Sequence, residues 1–144
     1  MEQAPHELSW ALHHLAVAAA ELDTAIARRL QLSAGDFLAL KHLLVADALG
    51  PVELGRLLGL TSGAATGLAN RLERAGWVRR EPHPTDRRRQ VLTTTAYARE
   101  TLLRELQPLA EDLERASAGL SPDQRRQVAA ALMSLARLHR RHAR

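Results

Sequence analysis

The chain has 144 residues, 46% of them apolar and only 3% aromatic, and twenty basic side chains against sixteen acidic ones give a net charge of +4. That length fits one domain, or one compact unit with an oligomerisation arm, over a core made mostly of leucine and alanine. The lack of cysteine excludes disulfides, thiol catalysis and cysteine-based metal or peroxide sensing, while the absence of a basic stretch before an apolar run at the start, and apolar stretches such as LAVAAA that are far too short to cross a bilayer, read as a cytoplasmic protein.

Residues 7–30 carry Leu8, Leu12, Leu15, Ala19, Leu22 and Ile26 at steps of four and three, which puts them on one stripe of a helix. The stripe suits either a core-facing helix or a seam between subunits. Ser33 begins a second helix, with Ser33 and Asp36 spaced as a capping box and Phe37, Leu40, Leu43 and Leu44 as the buried face. Gly50-Pro51 is expected to end it and to open a shorter helix, because proline suits a first turn. Leu54, Leu57 and Leu58 face inward there, and Gly59 breaks it.

Thr61 is placed to cap the next helix, over about 61–75. Its inner stripe is Ala65, Leu68, Leu72 and Ala75, and its outer row is Ser62, Thr66, Asn70 and Arg74, each four apart. Gly63 and Gly67 lie beside that row. An interior glycine costs a helix about 1 kcal/mol relative to alanine, so Gly67 in particular calls for a compensating reason, such as close approach of a partner to the backbone. After Gly76, Trp77–Glu81 and Arg89–Thr93 read as two strands of a hairpin whose connecting loop is PHPTDRRR. Thr95 is placed to cap a long helix to about Ala118, with Leu102, Leu106, Leu109 and Leu113 in a stripe and a kink expected near Arg104–Pro108. Ser121-Pro122-Asp123-Gln124 combines an N-cap, a first-turn proline and a capping-box glutamine, and opens a last helix with Val128, Leu132, Leu135 and Leu138 on one face.

Two short helices, the second with a polar outer face, followed directly by a basic hairpin, make a winged helix-turn-helix. The arrangement suits duplex DNA: a helix fills the major groove, and arginines at a hairpin tip are drawn to the negative potential of the minor groove. Between Arg71 and Arg89 seven arginines stand against three acids, so that segment alone carries the chain's whole net charge of +4. Focusing of this kind weighs against the plain reading of a charge run as a solvated face. Nineteen of the twenty basic residues are arginine, whose planar fork suits phosphate and base edges, although GC-rich genomes favour it too.

The segment ELGRLLGLTSGAATGLANRLERAGWVRREPHPTDRRRQVLTTT, with the helices that flank it, resembles the MarR family of bacterial transcription regulators over nearly the whole chain. The most specific part is Asp86-Arg87-Arg88, an Asp-x-Arg wing motif, preceded by RLERAGWVRR. The resemblance implies a mainly α fold with a small β-hairpin wing. Residues 33–94 would form the winged helix-turn-helix domain, with 1–32 and 95–144 as helical dimerisation arms. It implies that Arg88 enters the minor groove, that Asp86 orients the neighbouring arginines, and that Arg87 and Arg89 belong to the DNA-binding surface. It also implies that Thr61, Ser62, Thr66, Asn70 and Arg71, with Arg74 in the same row, lie on the DNA-facing part of the recognition helix. Gly67 stands where the family pattern often has a large polar or basic residue, and Thr94-Thr95 stands where it usually has Leu-Thr. A homodimer on a pseudo-palindrome with half-sites about 34–36 Å apart follows from the same likeness. So does release by a small aromatic or anionic effector, bound in a crevice bordered by Trp10, His14, Phe37 and Lys41. Plain packing is the favoured reading of Trp10 and Phe37, since aromatics mostly supply buried area.

The remaining signals are weaker. Of the seven histidines, His13 and His14 are adjacent and are expected to point to different sides of a helix. His139 and His142 sit in the basic tail LHRRHAR, which falls short of a four-ligand zinc site, so no metal and no cofactor are expected. There is no HExxH, Walker A or GxSxG pattern, which argues against an enzyme. The alternative to DNA binding is a helical protein–protein module that docks an acidic partner on the arginine wing.

Overall fold

The structure is a computed structural model that describes residues 4–144. The elements run α1 (Ala4–Arg29), α2 (Ala34–Ala46), β1 (Ala48–Leu49), α3 (Pro51–Leu58), α4 (Ser62–Arg74), β2 (Val78–Pro82), β3 (Gln90–Thr94), α5 (Ala96–Ala116) and α6 (Pro122–His142). The chain divides into two compact units, the first running through Leu102 and the second Leu103–Arg144. The fold is mainly helical with one small antiparallel sheet, as the sequence pattern implies.

The core lies in the first unit. Ile26 of α1, Leu40 and Leu43 of α2, Leu54 of α3, Leu72 of α4, Val78 and Leu92 of the sheet and Leu102 of α5 are all essentially inaccessible to solvent. Burying a side chain of this size contributes roughly 1.5–3 kcal/mol, so these eight positions tie five helices and the sheet to one centre. Helices α3 and α4 come close together at Gly55, where a Cβ would stand 2.8 Å from that of Ala65. Only glycine fits there without one helix moving. Gly63, by contrast, has open space around it, and a Cβ at Gly67 would meet nothing nearer than Arg71 Nη1 at 3.6 Å. Neither glycine is required by packing within the chain.

Helix ends follow the local chemistry. The Ser33, Thr61 and Ser121 hydroxyls accept the N–H groups of Asp36, Ala64 and Gln124, and the Gln124 amide oxygen returns a bond from the Ser121 N–H, completing a capping box. Thr95 accepts the Ala98 N–H at 3.1 Å and donates its own proton to the Gly76 carbonyl at 2.6 Å, so one side chain both caps α5 and fastens the end of α4. The indole of Trp77, itself buried, packs at 5.1 Å against the ring of Tyr97 beside this junction.

Several expectations need correction. Helix α2 ends at Ala46, not at Gly50-Pro51, because Asp47 turns the chain out of the helix at φ 64° and ψ −46°. That turn frees Ala48 and Leu49 to pair with Thr93 and Leu92, so the sheet has three strands in the order β1-β3-β2 instead of two. The hairpin strands begin one residue later than read from the pattern, at Val78 and Gln90. Ala75, assigned to the inner stripe of α4, is exposed, and Ala69 is buried in its place. Helix α5 runs through Pro108 and ends at Ala116, two residues before the expected end near Ala118.

The apolar stripes of the end helices are covered unevenly. In α1 the stripe is buried only at its far end, at Ile26, while Leu8 and Leu15 are 65% and 54% exposed. On α5, Leu109 and Leu113 are exposed, and α6 holds no buried residue at all, with Val128, Leu132, Met133 and Leu138 open to solvent.

Candidate nucleic-acid interface

Helix α4 presents Thr61, Ser62, Gly63, Ala64 and Thr66 on its exposed N-terminal half. The Thr61 hydroxyl is occupied by the cap. The Thr66 hydroxyl donates to the Ser62 carbonyl at 2.9 Å, leaving its lone pairs outward. Among the described residues nothing engages the Ser62 hydroxyl. This half of the helix therefore offers small polar groups and bare backbone, a surface that admits another backbone or a groove edge at short range.

The wing is a five-residue antiparallel pair, Val78–Pro82 against Gln90–Thr94, closed by the His83 N–H donating to the Arg89 carbonyl at 3.0 Å. Its tip is shaped by two side chains. The His83 Nδ1 accepts the backbone N–H groups of Thr85 at 3.2 Å and Asp86 at 3.1 Å, which puts the ring proton on Nε2. The Asp86 carboxylate accepts the Arg88 N–H at 3.2 Å, and the Asp86 carbonyl accepts the Arg89 N–H at 3.0 Å. Asp86 thus sets the direction of Arg88 through the backbone. The role of His83 was missed in the sequence. A signal was present in His-Pro-Thr-Asp, an acceptor placed two and three residues before the N–H groups it serves, as in an Asx turn.

Not all seven arginines of the segment are free. Arg71 pairs with Asp36 of α2 at 3.0 Å, Arg79 with Glu81 at 2.9 Å, Arg80 with Glu73 at 3.4 Å, and Arg89 with Glu53 of α3 at 2.8 Å. The hydrogen bond from Arg71 to Asp36, and then the nearby carboxylate charge, raise the pKa of the Arg71 guanidinium above its usual value. Arg74, Arg87 and Arg88 are exposed and have no ion pair among the described residues. The focused charge of the segment thus resolves into three unneutralised guanidiniums, two of them at the wing tip. Asn70 is half-buried and its Oδ1 accepts a bond from Arg80 at 2.6 Å.

The residues read as bordering an effector crevice are differently disposed. Trp10 is 63% exposed and touches both neighbouring imidazoles, stacking on His13 at 5.5 Å and meeting His14 edge-on at 4.8 Å. The two histidines thus flank one aromatic neighbour, one on the i+3 and one on the i+4 position. Phe37 is a core residue, and the Lys41 ammonium pairs with Asp23 at 2.7 Å. Among the described residues no group of three or more acidic or imidazole side chains is clustered as metal ligands would be, and no helix is long and apolar enough to cross a membrane.

A three-helix core that ends in α4 and an antiparallel hairpin with a cationic tip defines a winged helix-turn-helix protein. Residues 32–89 match the sequence model of the MarR family. It is 39% identical over 75 residues to the uncharacterised HTH-type transcriptional regulator YcgE of Bacillus subtilis (strain 168), covering 50% of this chain and 49% of that protein. It is also 39% identical over 59 residues to the multiple antibiotic resistance protein MarR of Escherichia coli (strain K12), covering 41% of each. The match thus spans about half the length of these curated relatives. Among solved structures, the transcriptional regulator Tm0710 of Thermotoga maritima shares the fold with a TM-score of 0.68 at 23% identity, over 95% of this chain and 96% of that one. A mutant of E. coli MarR complexed with operator DNA gives a TM-score of 0.55 at 25% identity, over 92% of this chain and 96% of that one.

Proposed function

We propose that this chain is a sequence-specific DNA-binding transcriptional regulator that works as a homodimer in the cytoplasm, acts as a repressor, and is a regulator rather than an enzyme. The observation that carries the reading is the wing tip, where Arg87 and Arg88 stand exposed and, among the described residues, unpaired on a loop fixed by His83 and Asp86. The operator complex of a similar chain supports it. In this reading α4 enters the major groove with Thr61, Ser62 and Thr66 at the edge of the bases, and Arg88 reaches the minor groove. Arg74 and Arg87 meet phosphates, and Arg71 and Arg89 join them by exchanging Asp36 and Glu53 for the DNA backbone. Residues 33–94 act as the DNA-binding domain, and 1–32 with 95–144 as the dimer arm, for which the uncovered stripes of α1, α5 and α6 supply the apolar surface. A small aromatic or anionic effector would bind at the crevice that the resemblance assigns to Trp10, His14, Phe37 and Lys41, with Lys41 released from Asp23.

The test is salt dependence on a pseudo-palindromic duplex recovered by selection from a random pool. If each subunit neutralises about four phosphates, the slope of log K against log salt is roughly −7 for the dimer. Arg88→Ala is expected to weaken binding. A slope near zero, or tight binding to an acidic protein with only unselective attachment to DNA, would turn the assignment to the docking alternative.

A further inference from the structure

Arg80 leaves β2 and reaches back to α4, where it is only 24% exposed. Its Nη2 donates to Asn70 Oδ1 at 2.6 Å, and its Nε donates to Glu73 Oε1 at 3.4 Å. Asn70 and Glu73 are three apart and share a face of α4. One planar guanidinium therefore bridges two side chains of the helix and belongs to the wing. Between the two elements the backbone makes a tight turn, with Gly76 at φ 81° and the Trp77 N–H donating to the Leu72 carbonyl at 2.9 Å. The turn sets the length of the connection, and the Arg80 bridge adds a second fastening farther out along the hairpin. Such a pair of attachments fixes the angle at which the wing leaves the helix.

The bridge also decides what Asn70 offers. An arginine can only donate, so the atom facing it is the amide oxygen, and what remains is the NH2 group. Asparagine reads adenine by accepting from N6 and donating to N7 together. The oxygen which that contact needs is turned toward the wing. Asn70 is also half-buried, unlike Ser62 and Thr66 in the same row.

Resting on the DNA-binding reading above, we infer that Arg80 is a positioning residue that clasps Asn70 and Glu73 to set the angle between α4 and the wing, and that Asn70 is spent on this clasp and does not read base edges. Sequence discrimination by α4 then comes from its N-terminal half, around Ser62 and Thr66. The clasp works by letting helix and hairpin meet their two grooves at once.

The experiment uses the full chain and duplexes selected from a random pool by the wild type and by each variant, with thermal unfolding measured alongside. In Asn70→Asp a carboxylate replaces the amide: the bridge to Arg80 persists as an ion pair, while both N–H donors are lost. This variant is expected to select the same bases as the wild type. Asn70→Ala and Arg80→Ala are expected to weaken binding about tenfold without changing the preferred bases, the scale of one lost coupled contact. Arg80→Lys keeps the charge but lacks the fork, and is expected to behave as Arg80→Ala does. A changed base preference in Asn70→Asp, or full binding by Arg80→Ala, overturns the inference. If the wild type recovers no duplex, the DNA-binding reading falls first and takes this one with it. Should Arg80→Ala fail to fold, the base preference of Asn70→Asp and the affinity of Arg80→Lys still decide the question.

Discussion

At the residue scale, charge is distributed by partners that lie far away in the chain. Arg71 and Arg89 are held by Asp36 and Glu53, 35 and 36 positions upstream. Exposed ion pairs of this kind contribute little to stability, typically below about 1 kcal/mol, so their effect is better sought in binding than in folding. Removing Asp36 as Asp36→Asn frees a guanidinium at the edge of α4 without touching the helix. We expect tighter binding to unselected duplex and a slope of log K against log salt steeper by up to about one per subunit, measured by titration at several ionic strengths. At the tip, Arg88→Ala removes a guanidinium with no carboxylate partner among the described residues, and a loss of about tenfold or more on the selected duplex is expected, one charge-assisted contact being worth roughly 1.5–3 kcal/mol. The count of arginines was legible in the sequence, but their availability was not, because pairing across α2, α3 and α4 depends on tertiary contacts that no local pattern encodes.

At the element scale, two glycines on adjoining helices have opposite meanings. Gly55 has no room for a side chain against Ala65, so Gly55→Ala is expected to lower stability by about 1–3 kcal/mol, read from the denaturation midpoint. Gly67 has room, and Gly67→Ala is expected to raise stability by up to about 1 kcal/mol through helix propensity alone. If the bare backbone there serves a groove edge, the same change weakens duplex binding. A more stable variant that binds as well as the wild type would remove that role from Gly67. The helices were legible from leucine spacing, caps and proline positions, and the hairpin from its apolar strands and turn residues. Strand β1 was not, because two residues are too short to show a period and their pairing depends on the turn at Asp47. Gly55 also carried no signal, since a glycine needed for contact between helices looks like any other until both helices are placed.

For the molecule as a whole, the balance of covered and uncovered apolar surface matters most. The first unit has a closed core, whereas Leu8, Trp10 and Leu15 of α1 and Val128, Leu132 and Met133 of α6 face solvent. In the proposed dimer these side chains would be covered by the second subunit. Subunit pairing predicts a melting temperature that rises with protein concentration, and a species of twice the chain mass in sedimentation. Leu132→Asp is expected to shift that species toward the single chain and to weaken duplex binding with it, while leaving the core around Leu40 and Leu72 folded. A monomer at all concentrations, binding duplex with full affinity, would rule out the dimer arm.

The open flank of α1 has a consequence for dosage. If pairs are the form that grips an operator, then at scarce supply their number follows the square of the number of chains, and halving synthesis more than halves occupancy. Regulation would then switch over a narrower range of expression than a lone binder allows, set by the oily face of one helix and not by the chemistry of the wing.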